Sequence, residues 1–230
     1  MTSVALIPGA GGLGWYWHLV EHDLTARGYD AFAIDLAAHG RTGLPAYADA
    51  VVDAVNGRSD VALVAQSMGG FTAPLVWQRV PTRLVVFVNA MIPQPGETPG
   101  AWWDNVGSEQ ARRAAAARQG YSVEFDLTTY FMHDVPEHLV AEMQARAGAQ
   151  LDERFDDVCT FDDWPPIPMK AVAGRDDRFF PLELQQRVAR DRLGVDPAIV
   201  PGGHLAALSH PEQLAEVIAG YLESTAHGNT

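Results

Sequence analysis

Val61-Ala62-Leu63-Val64-Ala65-Gln66-Ser67-Met68-Gly69-Gly70 decides the fold of this chain. A run of apolar, β-prone residues stops at a serine with small residues two positions before it and two and three after it. A serine on a sharp turn between a buried strand and a helix requires that pattern. The turn strains its backbone, and only Ala or Gly leaves room at positions 65, 69 and 70. The hydroxyl is thereby lifted clear of the sheet. Ser67 is the candidate nucleophile, and its partners must come from elsewhere in the chain.

Short apolar runs alternate with helical patterns on both sides of this stretch, as in a parallel α/β sheet. Strands are expected near Val4–Ile7, Ala31–Ile34, Val61–Ala65, Leu84–Val88, Met169–Ala173 and Ala198–Val200. Helices are expected near Tyr16–Arg27, Tyr47–Val55, Met68–Arg79, Leu182–Leu193 and Pro211–Leu222. Ser209-His210-Pro211-Glu212 has the form of a capping box, with Ser209 as N-cap. From about Gln94 to Pro166 strand signals stop. An alanine-rich helix from Ser108 that Gly120 ends and a second helix over Pro136–Ala147 take their place. A connection that long is an element of its own or a functional one. The expected organisation is a core of residues 1–93 and 167–230 with a helical cap, 94–166, inserted over the sheet's C-terminal edge.

The remaining chemistry must lie just after the strands, because reactive groups in an open parallel sheet gather at the strands' carboxyl ends. A serine needs a base to take its proton, and the base needs a third group to fix its tautomer. Of the eight histidines, only His204 directly follows an expected strand in a glycine loop, Pro201-Gly202-Gly203-His204; His39 is the lesser rival. After the fifth strand comes Gly174-Arg175-Asp176-Asp177, where Asp177 is favoured over Asp176 as the acid. The rival location, Val88-Asn89-Ala90-Met91, offers no carboxylate. The oxyanion donors are expected to be the backbone N–H groups of Met68 and of Ala10. The latter lies in the loop Pro8-Gly9-Ala10-Gly11-Gly12, which faces Ser67 if the first and third strands are neighbours.

Ser, Asp and His in that chain order around such a turn make the chain resemble an α/β-hydrolase that begins at the family's third strand. Leu6-Ile7-Pro8-Gly9-Ala10-Gly11-Gly12-Leu13-Gly14-Trp15-Tyr16-Trp17, Ile34-Asp35-Leu36-Ala37-Ala38-His39-Gly40 and His204-Leu205-Ala206-Ala207-Leu208-Ser209 are similar to motifs of the methylesterase and hydroxynitrile lyase branch. The lyases of that branch carry Thr at the position of Gly9 and Lys at that of Leu205. Without that Lys, departing cyanide has no stabilising cation, so the resemblance favours an esterase. Ala65 in place of the first glycine of the family's serine turn and Pro8 in place of the histidine that usually precedes Gly9 are mild departures. The implied fold is a mostly parallel six-stranded sheet flanked by helices, with a helical cap insertion.

The implied activity is cofactor-independent hydrolysis of a carboxylic ester, thioester or lactone through an acyl-enzyme. The alternatives are lyase, cyclase or acyltransferase chemistry at the same site, or a ligand receptor on the same fold. At 230 residues and 47% hydrophobic, the chain buries a sizeable core. A formal charge of −13 argues against nucleic-acid and anionic-membrane partners; the partner that the resemblance implies is a small ester-like molecule. The single cysteine, Cys159, gives neither an intrachain disulfide nor a thiolate metal site, and no metal is expected. With no signal-peptide pattern at its start, a cytoplasmic location is expected.

Trp15 and Trp17 are expected to pack the first helix, and Asp35 to order its loop. Trp102, Trp103, Tyr130 and Phe131 serve equally as pocket lining or as the packing of the cap.

Overall fold

The computed structural model describes residues 1–36, 42–146, 155–164 and 166–226. Six strands form one sheet in the order β2-β1-β3-β4-β5-β6. They are β1 (Ser3–Ile7), β2 (Asp30–Ala33), β3 (Val61–Gln66), β4 (Thr82–Val88), β5 (Met169–Gly174) and β6 (Ala198–Val200). Every pairing is parallel, so the sheet is wholly rather than mostly parallel. The chain order reverses after β2, which makes β1 and β3 neighbours with Ile7 opposite Ala65. That register brings the glycine loop after β1 beside Ser67.

β1 and β3 are buried along their whole length because helices cover both faces of the sheet. Alternate residues feed two cores. Ala5, Ile7, Leu63, Ala65 and Phe87 pack with α2 (Leu44–Val55), α3 (Gly69–Val76) and α7 (Leu182–Leu193). Val4, Leu6, Val64, Leu84 and Val86 pack against α1 (His18–Ala26) and α9 (Pro211–Ala226). Between β4 and β5 lie α4 (Pro99–Asn105), α5 (Ser108–Gln119), a π-helical turn (Thr128–Met132) and α6 (Glu137–Arg146). Gly120 ends α5 in the left-handed conformation, with φ of 80°.

Several expected boundaries shift for physical reasons. The helix expected at Tyr16–Arg27 begins as a 3-10 turn, Gly14–Trp17. Its first glycine is pressed against the Ile34 backbone, where a Cβ would meet the Ile34 carbonyl carbon at 2.9 Å. α2 starts earlier than expected, at Leu44, with Pro45 in its first turn, where the missing N–H costs no bond. α3 stops at Val76, and the Arg79 N–H turns back onto the Val76 carbonyl. The capping box is not formed as expected: Ser209 ends α8 (Ala206–Ser209), and its hydroxyl lies 3.1 Å from His210 Nδ1. The Ser209 N–H donates to the Leu205 carbonyl at 3.2 Å and the His210 N–H to that of Ala206 at 2.8 Å, so these residues close α8 instead of capping the next helix. No helix among the described residues is long and apolar enough to cross a membrane.

Candidate active site

Ser67 follows directly on β3 and holds φ at +50°, a conformation uncommon for a residue with a Cβ. Neighbouring bonds hold it there. Its N–H donates to the Val88 carbonyl at 3.3 Å, and its own carbonyl accepts from Gly70 and Met91, each at 3.0 Å. The flanking glycines are dictated by contact. A Cβ at Gly69 would lie 2.5 Å from the Pro8 carbonyl oxygen, and one at Gly70 would lie 2.2 Å from that of Met91. Gly70→Ala is therefore expected to lower unfolding stability by about 1–3 kcal/mol, the range for overpacking. Urea unfolding checks this, and a change within a few tenths of a kcal/mol would show that the close approach relaxes freely.

His204 arrives from the other end of the sheet on the loop after β6. Its ring is fully buried. Nδ1 lies 2.8 Å from Asp177 Oδ2 and Nε2 lies 3.0 Å from Ser67 Oγ. A carboxylate only accepts, so Nδ1 carries the proton and Nε2 accepts from the serine hydroxyl. Asp177 and Ser67 are buried as well. The Asp177 carboxylate is steered from its other side: Oδ1 accepts the N–H groups of Phe179 and Phe180 at 2.8 and 2.9 Å, and Oδ2 accepts from Gln185 Nε2 at 3.3 Å. The rings of Phe131, Phe179 and Phe180 meet the imidazole edge-on, with centroids 4.8, 5.1 and 5.0 Å away. Three side chains far apart in sequence thus form one hydrogen-bonded chain under an aromatic cover.

The rival acid, Asp176, points elsewhere. It pairs with Arg175, whose guanidinium holds its carboxyl below the ordinary aspartate value, and it accepts the Gly202 N–H at 3.3 Å. The rival base, His39, lies outside the described residues. His133 sits beside the His204 loop and is half-buried, which pushes it below the usual histidine value. Burial pushes the Tyr16 phenol well above its ordinary value, so it stays protonated at neutral pH.

The glycine loop abuts the serine: a Cβ at Gly9 would meet Ser67 Cβ at 2.8 Å and Gln66 Oε1 at 2.5 Å. Among the described residues, neither the Ala10 nor the Met68 N–H donates to a protein acceptor. Leu205 is buried next to His204.

Several aromatic residues have structural partners. Trp102 Nε1 donates to the Ile92 carbonyl at 3.0 Å, and the Tyr130 hydroxyl donates to that of Ser122 at 2.6 Å. Trp17 is fully buried in the core, while Trp15 stacks on His18 at 4.6 Å. No group of three or more His, Cys, Asp or Glu side chains able to hold a metal ion occurs among the described residues.

The position of Asp177 was readable from the order of motifs, but its supports were not. Gln185 lies eight residues along on α7, and Asn89 faces the loop from β4. Neither belongs to a local pattern, and only the fold brings them to the site.

Comparison with known proteins agrees with this architecture. The alpha/beta hydrolase family model matches residues 4–217. Methylesterase 3 of Arabidopsis thaliana is 30% identical over 123 residues, which is 47% of this chain and 47% of that protein. The match thus spans about half the length of that relative. A pyrethroid hydrolase of Sphingobium wenxiniae is 25% identical over 250 residues, covering 98% of this chain and 89% of that one. Among solved structures, an extracellular α/β-hydrolase from a Paenibacillus species superimposes with a TM-score of 0.76 at 18% identity, over 96% of this chain and 98% of its own. With the family model matching most of its length, the chain belongs to the alpha/beta hydrolase family and is an enzyme of that fold.

Proposed function

We propose that this enzyme is a serine carboxylesterase acting on a small, largely apolar ester through an acyl-enzyme. The observation that carries the reading is the continuous hydrogen-bonded chain from Asp177 through His204 to Ser67. Both curated relatives bear esterase or hydrolase names, which supports the same reaction class.

Ser67 Oγ attacks the ester carbonyl while His204 Nε2 takes its proton. Asp177 holds the imidazole in the tautomer that leaves Nε2 free and stabilises the imidazolium that forms. The carbonyl oxygen becomes an oxyanion facing the N–H groups of Met68 and Ala10. The first stands at the start of α3, where the helix dipole also favours negative charge. His204 then returns the proton to the departing alkoxide, and the alcohol leaves. Water, activated by the same imidazole, attacks the acyl-enzyme and releases the acid. Phe131, Phe179 and Phe180 keep solvent from the imidazole. The helices between β4 and β5 act as the cap that carries Phe131. Leu205 adjoins the base with an apolar side chain, so no cation waits there for a leaving anion.

Turnover of p-nitrophenyl and aromatic methyl esters in ¹⁸O-labelled water tests the proposal. Hydrolysis through Ser67 places label in the acid and none in the alcohol. Cleavage products without label in the acid would assign the site to non-hydrolytic chemistry.

A further inference from the structure

One side chain outside the reacting groups ties their two loops together. Asn89 follows directly on β4 and is fully buried, with φ of +45°. Its Nδ2 donates to the carbonyls of Gly203 and His204, at 3.0 and 3.2 Å. Its Oδ1 accepts the Gly174 N–H at 2.7 Å. Its own N–H donates to the Val172 carbonyl at 3.0 Å. Gly203 and His204 form the loop that carries the base, and Gly174 opens the turn that carries Asp177. The two backbones pass so close that a Cβ at Gly174 would stand 2.7 Å from both the Gly202 and Gly203 carbonyl oxygens.

The chemistry at this point demands a primary amide. The Gly203 carbonyl needs a donor and the Gly174 N–H an acceptor within reach of a single short side chain; the His204 carbonyl takes a donor from Asn89 and a longer one, at 3.4 Å, from Gln66 Nε2. A carboxylate offers no donor and would face two carbonyl oxygens; an aliphatic side chain offers neither function. Asn also tolerates the left-handed backbone better than most residues. The residue before His204 is held a second time, since the Gly203 N–H donates to Asp134 Oδ2 at 2.6 Å.

We propose that Asn89 is a positioning residue that sets the His204 ring against both Ser67 and Asp177 by holding their loops in register. This rests on the reading of Ser67, His204 and Asp177 given above. All of these Asn89 hydrogen bonds go to backbone groups rather than to the side chains of Ser67, His204 or Asp177, so its effect is expected on the rate of bond making rather than on substrate binding.

The test compares wild type with Asn89→Gly and Asn89→Asp, and with Val86→Ala as a control in the β4 core. Each is measured for kcat and KM on a p-nitrophenyl ester, for the rate of labelling by a fluorophosphonate, and for Tm. Gly removes the amide while keeping the left-handed backbone accessible. Asn89→Gly is expected to lose about 10- to 100-fold in kcat, the scale of an ångström-sized misplacement, with KM unmoved and labelling slowed in step. Asn89→Asp is expected to lose at least as much; if it fails to fold, Asn89→Gly decides. Val86→Ala is expected to lower Tm while keeping kcat. Wild-type kcat in Asn89→Gly, a loss confined to KM, or an equal kcat loss in Val86→Ala would overturn the proposal. A wild type that neither labels nor turns over would instead overturn the reading of Ser67 on which it rests.

Discussion

Replacing Ser67 with Ala is expected to lower kcat by about 10⁶-fold, as removal of the nucleophile from such a unit does. The magnitude follows from the site's construction. In the proposed reaction, loss of the hydroxyl means no acyl-enzyme, and the imidazole 3.0 Å away has no nucleophile to activate. What remains is substrate binding and the backbone donors, which give only residual catalysis. The fold is expected to survive: alanine has a Cβ like serine, and the bonds that hold residue 67 at φ +50° are all backbone ones. Steady-state kinetics with a matched thermal melt checks the expectation. Residual activity above about a tenth of wild type would remove Ser67 from the nucleophile's role.

Asp177→Asn is expected to cost about 10⁴-fold in kcat, the loss seen when an amide turns such a histidine into the wrong tautomer. Asp177 Oδ1 already accepts two backbone N–H groups, so the amide of an Asn there places its oxygen on them and its NH₂ toward His204. Nδ1 must then accept, the ring proton moves to Nε2, and Ser67 loses its base. Asp176→Asn is expected to cost far less, because that carboxylate pairs with Arg175 on the surface. Its contact with the Gly202 N–H is long, at 3.3 Å. Kinetics on the two variants side by side decides the assignment. A larger loss in Asp176→Asn would move the acid's role to that residue.

The strands were legible because a sheet covered on both faces demands unbroken apolar runs, and Val61–Ala65 and Leu84–Val88 are such runs. The strained turn at Ser67 was legible for a related reason. Strain at one residue forces its neighbours to be small, and the contacts of Gly69 and Gly70 with the Pro8 and Met91 carbonyls show why. The loops bearing His204 and Asp177 were readable from chain order, since parallel strands deliver their following loops to one edge. What sequence did not reveal comes from contacts between distant segments. Gly14 meets Ile34, Asn89 meets Gly174 and Gly203, and Gln185 meets Asp177, with no periodic signal to mark any of them. Ser209 fails in the opposite direction: its local pattern has the form of a cap, but the loop after β6 takes it into α8 instead.

Labelling with a fluorophosphonate, followed by mass spectrometry of the peptides, addresses the central claim most directly. The expected result is a single phosphonyl adduct on Ser67, absent in Ser67→Ala and strongly slowed in His204→Ala. An adduct on another residue, or full ester turnover by an enzyme whose Ser67 stays unlabelled, would contradict it.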